Sequence, residues 1–183
     1  MKVVFVVAVM VAVSMQVSAQ KYFTRDGKIT FSSDAPMEKI EAVNNKVSSV
    51  FDTQTGDVEF AVLIKSFHFE KALMQEHFNE NYMESSKYPK ATFKGKISNL
   101  SSINLKVNGD YRAAVQGDLT IHGVTKPVQA DAVLKVSNGI IHATSTFQVA
   151  VADYNIEIPK VVRENIAKIV QINIDVDYKP LEQ

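Results

Sequence analysis

Cysteine is absent from all 183 residues. That excludes disulfide staples, a lipidated N-terminal cysteine and any thiolate chemistry, whether metal-binding or catalytic. Stability must then come from buried apolar surface. A surplus of charge is also lacking, since 20 basic residues face 20 acidic ones, and nothing in that balance calls for a nucleic-acid partner. Seven glycines and five prolines are scattered rather than gathered, so no linker, low-complexity tract or fixed-period repeat divides the chain. The apolar run at 3–13 is too short to span a membrane as a helix, and no charged stop-transfer flank follows it. There is no G-x-S-x-G elbow, phosphate-cradling loop or H-E-x-x-H pair.

What is present begins with a leader. Lys2, the apolar run and Val17-Ser18-Ala19 have the three parts of a secretory signal with cleavage near Ala19. The expected division is a signal at 1–19 and one domain over 20–183, placed in the periplasm or secreted. About 160 mature residues form a single domain able to bury roughly 68–70% of its unfolded surface.

Beyond the leader the dominant pattern is alternation. In "KATFKGKIS", 90–98, Ala91, Phe93, Gly95 and Ile97 fall on one side and Lys90, Thr92, Lys94 and Lys96 on the other, a strand with one wet face. Val58, Phe60, Val62 and Ile64 alternate likewise, as do Val170, Ile172, Ile174 and Val176. With 28–33, 46–53, 111–122, 126–137 and 140–150 this predicts about eight strands, several joined by turn pairs such as Thr55-Gly56, His122-Gly123 and Asn138-Gly139. Strands of this kind fit an antiparallel sheet that curls shut. Alternation stops over 69–83, where helix formers predominate. A second short helix is expected at 36–43, with Asp34 as its cap and Pro36 at an early helical position.

A barrel of about eight strands either fills with side chains or holds one small ligand. The inward set mixes bulky Phe31, Phe60, Phe93, Leu119 and Phe147 with Ala91, Gly95, Ala113, Gly117, Ala130, Ala132 and Ala143. Large residues interdigitating with small ones would fill it to normal density. A hollow interior would leave the small positions as room for a ligand.

The segment "MQEHFNENYM", 74–83, places a histidine among acids and amides. Glu76 and His77 point in directions too different to share an ion, which leaves His77 and Glu80, three apart, as the only chelating pair. His68, His122 and His142 have no helpful spacing with it, and structural zinc takes four ligands, catalytic zinc usually three from protein. No metal and no cofactor are expected. The helix carries two apolar stripes, Phe69, Ala72, Leu73 and Met83, and Met74, Phe78 and Tyr82. Apolar faces on two sides suit either a moving lid or a fixed plug. His122 reads as an exposed turn histidine, and Asn99-Leu100-Ser101 as a glycosylation sequon that matters only where the host modifies exported proteins.

"YPKATFKG", 88–95, and "GDLTIHGVTKPV", 117–128, resemble the two most characteristic stretches of the YceI-like proteins. The resemblance runs over nearly all of the mature chain, including "DYNIEIP" at 153–159. It implies an all-β fold: an antiparallel, eight-stranded, lipocalin-like barrel with a helix between the third and fourth strands. It further implies an apolar cavity for a polyisoprenoid or another long-chain amphiphilic lipid. The expected lining is Phe31, Phe60, Val62, Ile64, Phe69, Leu73, Phe78, Phe93, Gly95, Gly117, Leu119, Ile121 and Phe147, with no catalytic residue. The function so implied is an exported lipid-binding protein with no nucleic-acid partner and no membrane span. The alternatives are an enzyme acting on a lipid at the cavity mouth and a filled barrel that binds protein on its outside.

Overall fold

The structure, a computed structural model, describes residues 21–181; the expected leader at 1–19 lies outside them. Eight long strands run in the order β1 (Lys21–Asp34), β9 (Ile169–Pro180), β8 (Ile140–Ala150), β7 (Val124–Ser137), β6 (Gly109–Ile121), β5 (Lys90–Ile97), β3 (Asp57–Leu63) and β2 (Lys39–Asp52), and β2 pairs back onto β1. Every pairing is antiparallel. The barrel is therefore closed and leaves no open edge among these strands. The two-residue β4 (His68–Phe69) adds beside Ala42 and Val43 of β2, and helix α1 (Ala72–His77) lies between β3 and β5.

Turn chemistry sets the register. The β6–β7 and β7–β8 hairpins close through His122-Gly123 and Asn138-Gly139, all four residues at positive φ, the backbone whose twist matches that of the flanking strands. The expected helix at 36–43 does not form. Asp34 instead ends β1, the chain bends at Pro36-Met37, and β2 starts at Lys39. Cap and turn draw on the same residue types, and here the hairpin between β1 and β2 takes precedence. The inserted helix is shorter than 69–83, with one α-helical stretch continuing as a π turn over Phe78–Tyr82.

One end of the barrel is filled. Phe51, Val58, Ile97, Leu134, Val136, Ile141, Val176 and Tyr178 form its buried cluster, with Leu100, Ile103 and Leu105 of the β5–β6 connection packed in from below. Within this base Ser49 Oγ stands 2.7 Å from the carbonyl of Glu59 and 2.6 Å from the Tyr178 hydroxyl. The single serine proton goes to the carbonyl, so Tyr178 donates to Ser49. Burial holds the Tyr178 phenol well above its usual range, against a smaller opposing effect of the Ser49 hydrogen bond.

Two expected results follow. Tyr178→Phe should cost about 1 kcal/mol, whereas Ser49→Ala, which strands the buried phenol, should cost about 1–3 kcal/mol. Above pH of about 10 the unfolded chain loses the tyrosine proton that the folded chain keeps, so stability should fall as pH rises there. Thermal melts of the two variants between neutral and alkaline pH check both points, and the alkaline fall should be shallower in Tyr178→Phe.

Candidate functional site

Above the filled base the inward-facing residues change character. Phe31, Phe60, Phe93, Phe147, Ile172 and Ile174 point into the barrel yet remain half-exposed, a condition that a filled core does not allow. The space they face is a cavity of about 460 Å³, within the range of about 300–1,000 Å³ typical of small-molecule sites. The barrel is hollow in its upper part.

Phe31, Phe60, Val62, Ile64, Phe69, Phe78, Phe93, Leu119, Ile121 and Phe147 all line this cavity. Leu73, Gly95 and Gly117 do not. Leu73 sits on the outer side of α1 and is 61% exposed, whereas Met74, Phe78 and Tyr82 turn inward together with Phe69 and Met83 from the two ends of the other stripe. Gly95 and Gly117 are direct partners across β5 and β6. A Cβ on Gly117 would overlap Lys94 O and the Gly95 Cα, and one on Gly95 would overlap the Phe93 ring and Gln116 O. These glycines let the two strands approach, and Gly95 lets the Phe93 ring lie over it; they are wall, not room. The small residues that do border the cavity are Ala91, Ala130, Ala132 and Ala143.

Two segments roof the barrel. The first, from β4 through the π turn, lays Phe78 against Phe31 at 5.4 Å and nearly parallel, with Phe67 and Phe69 edge-on or tilted around them. The second, 151–166, leaves β8 through a 3-10 turn at Val151–Tyr154 and contributes Tyr154, Ile156, Ile158, Val162 and Ile166 to the lining. Sequence reading overlooked this second wall, although the alternation of Tyr154, Ile156 and Ile158 was there to follow.

Polar groups gather where the roof segments meet the β1–β2 hairpin. Ser33, Glu38, His77 and Asn165 border the cavity there, and His77 and Glu38 reach solvent, which marks this as the mouth. Glu38 Oε1 accepts from Lys71 Nζ at 2.9 Å and Oε2 from Asn165 Nδ2 at 3.4 Å. The Lys71 hydrogen bond holds the Glu38 carboxyl below its ordinary range. Ser33 Oγ accepts from the backbone N–H of Ala167 at 2.8 Å. These groups tie the hairpin to both roof segments.

The far end of the first roof segment is pinned by His122. Its Nε2 lies 2.8 Å from Glu84 Oε2, its Nδ1 3.2 Å from the Tyr154 carbonyl, and its ring meets Tyr88 edge-on at 4.6 Å. The side chain is only 10% exposed, which corrects its reading as an exposed turn residue. It is covered by segments distant in sequence from its own hairpin. His142 pairs with Asp177 and Asp175 across β8 and β9. Among the described residues no three His, Asp or Glu side chains gather in a metal-holding group, and no helix is long and apolar enough to cross a membrane. Asn99 of the sequon spends its amide on the edge of β6, donating to the Arg112 carbonyl and accepting from the Ala114 N–H.

The profile of the YceI-like domain matches residues 2–178. The chain belongs to the YceI-like family. Among curated relatives, a UPF0312 protein of Vibrio parahaemolyticus is 31% identical over 123 residues, 66% of this chain and 56% of that protein. Protein YceI of Escherichia coli O157:H7 is 32% identical over 109 residues, 60% of this chain and 44% of its own length. The chain thus spans about half the length of these YceI-like relatives. Among solved structures, a polyisoprenoid binding domain from Saccharophagus degradans superposes with a TM-score of 0.76 at 15% identity, covering 90% of this chain and all of that one. Burkholderia cenocepacia BcnA gives 0.68 at 19% identity over 82% of this chain and 95% of its own. At such identities the likeness shows the YceI-like barrel fold.

Proposed function

We propose that this protein is exported and holds one long-chain apolar lipid, of polyisoprenoid type, inside the barrel as a carrier or store rather than as an enzyme. The observation that carries the reading is the ring of inward-facing, half-exposed apolar side chains around the cavity. An isoprenoid chain has no hydrogen-bonding groups, so it needs a continuous apolar wall, which contributes about 25 cal/mol for each Å² withdrawn from water. A solved relative in fold is a polyisoprenoid binding domain, which supports the ligand class. The mouth carboxylate is engaged with Lys71 and Asn165, which favours a role in holding the entrance over one in acid–base chemistry. Export rests on the leader at 1–19.

Mass spectrometry of lipids extracted from the natively purified protein tests this. One intact prenyl lipid per chain is expected. Recovery of hydrolysed or otherwise altered lipid would point to turnover, and failure to take up any prenyl lipid, native or added, would sink the reading.

A further inference from the structure

The mouth of the cavity is bordered by three large apolar side chains that nothing in the fold covers. Met37 at the tip of the β1–β2 hairpin is 73% exposed, Leu73 on the outer face of α1 61%, and Val161 in the second roof segment 90%. They come from three separate elements yet share one end of the barrel. The backbone N–H of Met37 donates to the Glu164 carbonyl at 3.0 Å, which joins hairpin tip and second roof. Glu38, next to Met37, accepts from Lys71, two residues before Leu73. Each is adjacent in sequence to a residue that borders the cavity, namely Glu38, Met74 and Val162.

The charge around them balances. Over 34–39, 70–73 and 160–164 the basic residues are Lys39, Lys71, Lys160 and Arg163, and the acidic ones Asp34, Glu38, Glu70 and Glu164, four against four. Three projecting apolar tips on a rim without net charge suit a surface that offers hydrocarbon just beneath a layer of neutral head groups. Such a surface is also the reservoir of any water-insoluble cavity ligand, and the rim is continuous with the cavity mouth.

We propose that Met37, Leu73 and Val161 form a docking rim that sets the mouth against a lipid bilayer, so that lipid enters or leaves without crossing water. The proposal rests on the lipid-holding reading above. Docking proceeds by shallow insertion of apolar tips and owes little to anionic lipid, since a neutral rim gains little from the surface potential of charged head groups.

The test is co-sedimentation of the purified protein with phosphatidylcholine vesicles, alone and with one-third phosphatidylglycerol, alongside the rate at which a fluorescent prenyl alcohol passes from those vesicles into the protein. Equal binding to both vesicle types is expected. The triple variant Met37→Ser, Leu73→Ser, Val161→Ser should bind on the order of tenfold less and load correspondingly slowly, while taking up the prenyl alcohol from detergent as well as the wild type does. Because all three positions are exposed, melting temperatures should match. A control pair at the opposite end of the barrel, Val107→Ser with Ile140→Ser, should change nothing. The proposal is overturned if the wild type stays off all vesicles, if the triple variant binds as the wild type does, if the control pair loses as much, or if the rim instead mediates dimerisation seen by sedimentation velocity. Failure to take up the prenyl alcohol from detergent would remove the lipid-holding reading instead, leaving the vesicle arm to decide the rim by itself.

Discussion

Replacing Ala130 with phenylalanine should raise the Kd for a prenyl lipid by nearly two orders of magnitude while the barrel folds as before. Ala130 borders the cavity from β7, opposite Val115 on β6, and its outward-facing neighbours Gln129 and Asp131 take no part in the interior. A phenylalanine there would occupy space meant for ligand. Displacing about 100 Å² of apolar contact forfeits about 2.5 kcal/mol at 25 cal/mol/Å², and every 1.4 kcal/mol is tenfold in affinity. Because the ring enters a void rather than a packed core, the folded state should be unchanged or slightly more stable. Titration with a prenyl alcohol and a thermal melt measure the two quantities. A variant that binds lipid as tightly as the wild type would show that the ligand lies elsewhere.

Gly117→Ala should produce the opposite pattern, a barrel that melts far earlier. The added methyl would overlap the Lys94 carbonyl and the Gly95 Cα, both backbone, so no rotamer change relieves it. Separating β5 from β6 would sacrifice a ladder that runs from Thr92–Thr120 to Ile97–Val115. A cost of about 3 kcal/mol, at the upper end of ordinary overpacking, corresponds to a fall in Tm of about 6–12 °C in a domain of this size. An unchanged melting temperature would mean that the two strands are farther apart than the structure places them. Together the two substitutions separate small residues that make room from small residues that make contact.

That distinction was not legible in the sequence, and the reason is physical. Alternation tells which face a residue takes; it does not tell what stands opposite, because the stagger of a barrel is set by closure. Ala130 and Gly117 look alike in the pattern and differ only through register. Where one face is wet and one dry, the reading was sound, as in 126–137 and 170–176, which fall wholly in strands, and in 90–98, where only Ser98 lies past the strand end. It shortened β1, whose pairing slips between Thr24 and Gly27 and again before Ile29, and β2, whose first residues were read as the helix at 36–43; nor does the pattern show that Asn44 and Ser49 are buried. Each polar group has a partner, Asn44 with the Leu63 carbonyl and Ser49 with Glu59, but those partners lie ten or more residues away. His122 was misjudged for the same reason, since Glu84, Tyr88 and Tyr154 cover it from elsewhere in the chain. For α1 the two stripes were identified, yet which of their residues face inward, all of the second but not Leu73 of the first, depended on how the segment docks.

The separation of a packed base from a hollow upper barrel bears on how such a protein can diversify. In a filled core, shrinking a side chain opens a void whose cost grows with its volume, so each position is held by its neighbours. Around the upper wall the void already exists, and a change from Phe to Leu or from Ala to Val alters its shape without creating a new one. The half-exposed residues of the upper wall thus carry less of the packing than Ile141, Val176 and their companions at the closed end, while Val62, Leu119 and Val149 belong both to buried clusters and to the cavity wall. Single substitutions at the half-exposed positions of the upper strands could therefore change what fits at small cost to the fold, with much of the packing left to the closed end of the same sheet.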